Sequence, residues 1–153
     1  MQSIKLYIPV IVSVGLLLLT SNLSYCQNYS HRITIIGNSI DNKTYSKQEI
    51  RSILKGKNSN WRNGNRVQII LPLDESKSAE YMSREIYGKS VNGVKKYWLG
   101  LVFQGRANAP TFVQDNEEVL QLVKKSKGAI GILIDGDKAI PSQFIVDISK
   151  TRE

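Results

Sequence analysis

Apolar residues along this chain switch between two rhythms. In "HRITIIGNSI" a β-branched run predicts a strand over residues 32–39, buried on both faces. "VQIILPL" predicts a second strand over 67–71, and "AIGILI" a third over 129–134. "FIVDI" alternates Phe144, Val146 and Ile148, the pattern of a half-buried last strand. Between the strands the period lengthens to that of a helix. Ile50, Ile53 and Leu54 follow Ser46 and Glu49, which form a capping-box pair, and Gly56 stops that helix. A second helix is expected over 76–87, with Ala79, Met82, Ile86 and Tyr87 on one face and Gly88 at its end. Val94, Tyr97, Trp98 and Leu101 mark a third. Asp115 and Glu118 open a fourth, which carries Val119, Leu120, Leu122 and Val123 and ends at Gly128. "QGRANAPTFVQ" reads as a loop and "DGDKAIPS" as a turn.

The order is β-α-β-α-α-α-β-β. Strands separated by helices predict an α/β domain with a mainly parallel or mixed sheet. Neither an internal repeat nor a long linker divides residues 27–153.

The first 26 residues follow a different plan. "MQSIKLYIPVIVSVGLLLLTSNLSYC" places Lys5 ahead of an apolar core over 6–19, with small or polar residues afterwards. That is the layout of a secretory signal. The core is short beside the roughly 20 apolar residues of a membrane span, and Pro9 weakens a helix there. Cleavage after Cys26 leaves a domain over 27–153, periplasmic or secreted. The alternative is lipidation of Cys26, which would tie the chain to a membrane. Bulky Tyr25 sits where a lipid-attachment box wants a small residue.

Charge and cysteine content narrow the chemistry. Lys and Arg number 21 against 13 Asp and Glu, a net charge of +8 that falls to +7 when Lys5 leaves with the signal. A basic exported protein meets anions, anionic membrane surfaces or acidic polymers; export argues against nucleic acid. Cys26 is the single cysteine, so an internal disulfide, a thiol redox pair and a cysteine zinc cluster are excluded. His31 is the single histidine and lies in a polar N-terminal segment, which gives neither a Ser/His/Asp nor a Cys/His arrangement an anchor. No catalytic residue, cofactor or metal is expected. Asp135-Gly136-Asp137 lacks the spaced ligands and closing Glu of a calcium loop and reads as a turn.

Two polar stretches remain. In "LPLDESKSAEYM" a strand end meets a helix start, and ligands of open α/β sheets collect at the carboxyl ends of strands. A helix start offers unpaired N–H groups and about half a positive charge. Ser76 and Ser78 add hydroxyls and Lys77 a cation, so Ser76, Lys77 and Ser78 are the candidate anion ligands. The plainer reading is that Asp74 or Ser76 caps the helix. The other stretch, "KGKNSNWRNGNR", sets Lys55, Lys57, Arg62 and Arg66 around Trp61. Such a mixture stacks on nucleic acid in some proteins; here the favoured reading is a Trp that pins the loop to its own domain.

Taken together, "YSKQEIRSILKGKNSNWRNGNRVQII", "KKYWLGLVFQGRANAP" and "KGAIGIL" resemble, in order and spacing, segments of the phosphate-type substrate-binding proteins of ABC importers. The residues that carry the first match are Ile53, Gly56, Lys57, Trp61 and Gly64. The resemblance implies an exported, non-enzymatic domain with one lobe of the type 2 periplasmic-binding-protein fold, a mixed and mostly parallel sheet flanked by helices. It also implies phosphate or a similar small anion as ligand and an ABC importer as partner. In that family the second-lobe anion loop reads approximately Arg-Asp-Gly-Ser-Gly-Thr, and it falls on residues 73–78. Asp74 and Ser76 match, and Ser78 stands for the threonine. Leu73 replaces the arginine, Glu75 and Lys77 the glycines. The lost arginine removes a bidentate charge for phosphate, and the lost glycines restrict close backbone approach. Residues 27–153 also leave no room for a first lobe. Tight phosphate binding is therefore not carried over, and an accessory envelope module that keeps the fold without the ligand is the rival expectation.

Overall fold

In the computed structural model, which describes residues 31–41, 44–74, 76–136, 140–146 and 148–149, each long strand carries two alternating sets of apolar side chains. Chain contacts separate residues Met1–Ser30, outside the described residues, from the unit His31–Glu153. The predicted signal, with Cys26, falls outside the described residues.

The elements of the described unit are β1 (Ile33–Gly37), β2 (Tyr45–Ser46), α1 (Lys47–Leu54), β3 (Gln68–Pro72), α2 (Lys77–Met82), α3 (Val91–Phe103), β4 (Thr111–Val113), α4 (Asn116–Lys125), β5 (Ala129–Ile134) and β6 (Ile148–Ser149). Four strands form the main sheet in the order β1-β5-β3-β4. β3 is parallel to both β5 and β4, and β1 is antiparallel to β5 with Ile33 opposite Ile134. The sheet is thus mixed and mostly parallel, and helices cover both faces.

Side-chain alternation decides which helix covers which face, because successive strand residues point to opposite sides. Ile35, Ile69, Leu71, Ile130 and Ile132 face one way and pack with Ile50, Leu54, Met82, Val94 and Trp98 of α1–α3. Ile36, Ile70, Ala129 and Leu133 face the other way and meet Val119, Leu120 and Val123 of α4. Gly131 lies on this second face. A Cβ there would sit 2.7 Å from Val119 and 2.9 Å from Val123, so its absence lets α4 approach the sheet closely.

The helix starts follow from local chemistry. Ser46 Oγ accepts the Glu49 N–H at 3.1 Å, and Glu49 Oε2 accepts the Ser46 N–H at 2.9 Å, a complete capping box. Asp115 Oδ1 accepts the Glu118 N–H at 2.9 Å, but the Glu118 carboxylate reaches the Gln114 N–H instead of that of Asp115. This second box is displaced by one residue.

Three expectations change. The stretch expected as one helix to Tyr87 is α-helical only to Met82 and continues as a wider π turn over Ser83–Tyr87, ended by Gly88. Ser83 is fully buried in that turn. The loop before Asp115 contains β4, a short edge strand whose Thr111 and Phe112 remain exposed, which hides the two-residue rhythm. The last strand expected over 144–148 is broken. Pro141 leads into a 3-10 turn over Ser142–Phe144, Ile145 only bridges Ile36, and β6 pairs parallel with β2 in a separate two-stranded sheet. A proline lacks the N–H that a ladder needs, and the carbonyl of Pro141 instead accepts the Phe144 N–H at 3.0 Å.

Candidate functional site

Because β3, β4 and β5 run parallel, their carboxyl ends lie on one edge of the sheet. A hollow of about 200 Å³ opens there, lined by Pro72, Asp74, Ser76, Ser78, Gln114, Asp115, Asn116 and Ile134. The sequence points to the first half of this lining, between β3 and α2. Three of the remaining residues, Gln114, Asp115 and Asn116, come from the junction of β4 and α4. That junction is a site only because β4 lies next to β3, and reading 104–114 as a loop conceals it. The Asp115 capping signal marks the position without revealing its neighbours.

Ser76 is the N-cap of α2. Its Oγ accepts the Ala79 N–H at 3.1 Å and donates to Asp74 Oδ1 at 2.6 Å, and its own N–H reaches the same oxygen at 3.1 Å. The hydroxyl is therefore committed on both sides, and Asp74 closes the turn behind it. Ser78 lines the hollow, and among the described residues no side-chain hydrogen bond engages it. Lys77 is exposed and is not part of the lining. The candidate ligands thus fall into three situations, with Ser76 present but occupied, Ser78 present and available, and Lys77 exposed outside the lining. Glu75 is outside the described residues.

Leu73, expected by resemblance to stand where an arginine would be, is a core residue. Leu73 is 4% exposed, packs in the core with Leu71 and Met82, and donates its N–H to the Val113 carbonyl at 3.0 Å. It serves the scaffold at a place where an anion site would need a cation.

The opposite wall is held rigidly. Asn116 Nδ2 donates to the Ile134 carbonyl at 2.6 Å, and its Oδ1 accepts the Ile134 N–H at 3.0 Å. This two-way bond ties the start of α4 to the last residue of β5. Asp115 contributes a second carboxylate to the hollow. With Asp74 and Asp115 both on the wall, the field inside is unfavourable to a dianion until a cation enters with it or a carboxylate is neutralised.

Beside this hollow lies a larger one of about 470 Å³, shared by Asp115 and Asn116 and reaching Leu120, Leu133 and Asp135. Asp135 directly follows β5. Its Oδ2 lies 2.5 Å from His31 Nδ1 and its Oδ1 accepts the Arg32 N–H at 2.7 Å. The His31 hydrogen bond, followed by that of the Arg32 backbone, holds the Asp135 carboxyl below the usual carboxylate range. His31, placed by the sequence in a polar N-terminal segment, thus clips the start of β1 to the end of β5. Among the described residues no group of three or more His, Cys, Asp and Glu is placed to hold a metal ion. Asp137 lies outside the described residues.

The basic loop over 55–66 does pin itself to the domain. Trp61 is 5% exposed, its indole N–H donates to the Gly128 carbonyl at 2.8 Å, and Tyr45 meets its ring edge-on at 5.8 Å.

No family model matches the sequence, and no curated protein is similar to it at a significant level. Solved structures are similar in fold. An ABC-type phosphate transport receptor from Vibrio cholerae superposes with a TM-score of 0.55 at 16% identity, over 80% of this chain and 48% of that one. PstS from Borrelia burgdorferi gives 0.57 at 15% identity, over 80% and 49%. A candidate phosphate ABC transporter substrate-binding protein with bound phosphate, from Clostridium perfringens, gives 0.55 at 16% identity, over 77% and 45%. The chain therefore spans about half the length of these structures, and within that half it has the fold of the phosphate-type substrate-binding proteins of ABC importers.

Proposed function

We propose that the protein is an exported, non-enzymatic, substrate-binding-protein-like domain over 27–153, preceded by a signal over 1–26. It takes phosphate or a similar small anion weakly at the strand-end hollow, with Ser78 as the available hydroxyl and Ser76 and Lys77 beside it, and serves ABC-type transport. The observation that carries this reading is the hollow itself. It sits where three parallel strands end and two helices begin, the position at which open α/β sheets collect ligands. The Clostridium perfringens protein of the same fold holds phosphate, which supports the ligand class.

Calorimetric titration of the wild-type chain with phosphate and with sulfate tests the reading. Binding should be weak, and Ser78→Ala should reduce it by roughly 2- to 10-fold, the net worth of one neutral hydrogen bond. Ser78 is the informative position because Ser76→Ala also removes a helix cap. Absence of heat from the wild-type chain ends the ligand reading. Mass spectrometry of the N-terminus from the native host separates cleavage after Cys26 from a lipid on Cys26.

One specific observation favours a second reading, an accessory envelope module that keeps the fold and binds a protein instead of an anion. Asp74 and Asp115 line the hollow, and Asp74 occupies the Ser76 hydroxyl. Asp74→Asn separates the two. If the wild type is silent and the variant gains a phosphate response, carboxylate repulsion has switched off an ancestral site. Specific partners recovered from the envelope fraction would then define the module.

A further inference from the structure

Helix α3 is packed on one side and bare on the other. Val94 and Trp98 are buried, whereas Leu99 is 57%, Val102 40% and Phe103 82% exposed. These three lie at i, i+3 and i+4, so they form a single apolar stripe. The exposed lysines Lys95 and Lys96 stand one turn behind the stripe, and Arg106 follows just past its end.

Along the sequence around the stripe the charge has one sign, and the Glu80 carboxylate that meets α3 does so at its other end, where it accepts the Val91 N–H at 3.0 Å. From residue 86 to residue 114 the sequence holds no Asp or Glu, while Lys89, Lys95, Lys96 and Arg106 fall within it. Among the described residues none of these four cations makes an ion pair. An exposed apolar stripe edged by unpaired cations on a helix is the arrangement that lies in the interface of an anionic bilayer.

We propose that the α3 face is a docking surface for anionic membrane lipid, with Leu99, Val102 and Phe103 entering the headgroup boundary and Lys95, Lys96 and Arg106 meeting lipid phosphates. Two physical arguments select this occupant. Self-pairing of the face would set the cations of one copy against those of the other. Three apolar side chains also fall well short of the roughly 800 Å² per partner that a stable protein interface buries. A bilayer does not need that area, because shallow apolar insertion adds to about 1 kcal/mol per basic residue near the surface, about fivefold in partitioning. Among the described residues no helix is long and apolar enough to cross a membrane, so the contact is interfacial.

The test uses the full chain with Cys26→Ser and Val102→Cys, carrying an environment-sensitive fluorophore at position 102, so that the signal comes from this face whatever the N-terminus does. The same label on Lys124→Cys, on α4, is the control. With phosphatidylglycerol-containing vesicles the label at 102 should shift to the blue and become shielded from an aqueous quencher, and the label at 124 should not. Vesicles of phosphatidylcholine alone, or high salt, should abolish the shift. Lys95→Gln with Lys96→Gln should weaken partitioning about 25-fold, and Phe103→Ser should remove the shielding. A label that stays water-exposed on vesicle-bound protein overturns the proposal. So does a blue shift without vesicles: if it grows with protein concentration a second copy covers the face, and if it does not, the chain itself does. Shielding by a soluble acidic protein but not by vesicles overturns it in favour of a protein partner.

Discussion

The loop over 55–66 and the loop over 73–78 both resemble segments of phosphate-type binding proteins, and their side chains are spent in opposite ways. In the first, Trp61 is buried and satisfied by the Gly128 carbonyl, and Gly128 itself sits at φ +77 against the backbone of Arg66. Tyr97 and Tyr87 donate to the Lys55 and Leu54 carbonyls at the end of α1, at 2.7 and 2.6 Å. Burial pushes both of these phenols up in pKa, above their ordinary value. In the second loop Leu73, where the resemblance would put an arginine, is a core residue, one serine is tied to Asp74, and the lysine is exposed outside the lining of the hollow. The first loop's side chains hold the lobe together, while in the second the core and the helix cap take the groups that the resemblance assigns to an anion. A scaffold motif therefore says little about whether the ligand chemistry beside it survives.

The sharpest way to break this contrast is at Trp61. Trp61→Ala should cost about 3–5 kcal/mol of unfolding free energy in urea titration, the usual effect of deleting a buried aromatic. Trp61→Phe keeps most of the ring and removes the indole bond to the Gly128 carbonyl, which still accepts the Gln68 N–H, so a loss of about 0.5–1.5 kcal/mol is expected. A change below about 0.5 kcal/mol for Trp61→Ala would mean that the loop is not pinned.

Gly128→Ala comes next. Its Cβ would collide with the Arg66 carbonyl oxygen in a left-handed conformation, and a loss of at least about 2 kcal/mol is expected by chemical denaturation. Wild-type stability in this variant would show that the turn relaxes freely.

At the second loop the expected effect is smaller. Ser76→Ala removes the α2 cap and should cost about 1 kcal/mol. If Ser76 acts mainly as a cap, this loss appears in urea titration with or without phosphate. A loss that appears only when phosphate is present would reverse the assignment.

The smallest effect belongs to the far edge of the site. The Asp135 carboxyl is held down by His31 and the Arg32 N–H, so its stabilising contribution is present above its unfolded pKa near 4 and is lost as pH falls through the lower folded value. Asp135→Asn should therefore flatten the acid limb of the stability curve below about pH 4. An acid limb identical to wild type would separate Asp135 from that transition.

Local chemistry determined much of this protein. The capping box at Ser46 and Glu49, the helix of Val94 and Trp98, and the strands around Ile36, Ile70 and Ile132 are legible because each depends on neighbours a few residues away, and their alternation with helices is enough to indicate an α/β sheet. The order and spacing of Gly56, Trp61 and the "KGAIGIL" strand point to the fold that the solved structures share.

Tertiary structure alone decided the rest, because the groups involved are distant in sequence. β4 is a strand only because β3 supplies its partner, with Ile70 opposite Thr111. Asp115 and Asn116 face Ser76 and Ser78 only because three parallel strands end together. Pairing with β2, 103 residues upstream of Ile148, draws the chain end into a second sheet instead of the strand that its alternation suggests. The role of Leu73 followed the same logic. By resemblance it stands where an anion loop would carry an arginine, and in the fold it is a core side chain, since burying an apolar group is favourable where an unpaired cation would be expelled.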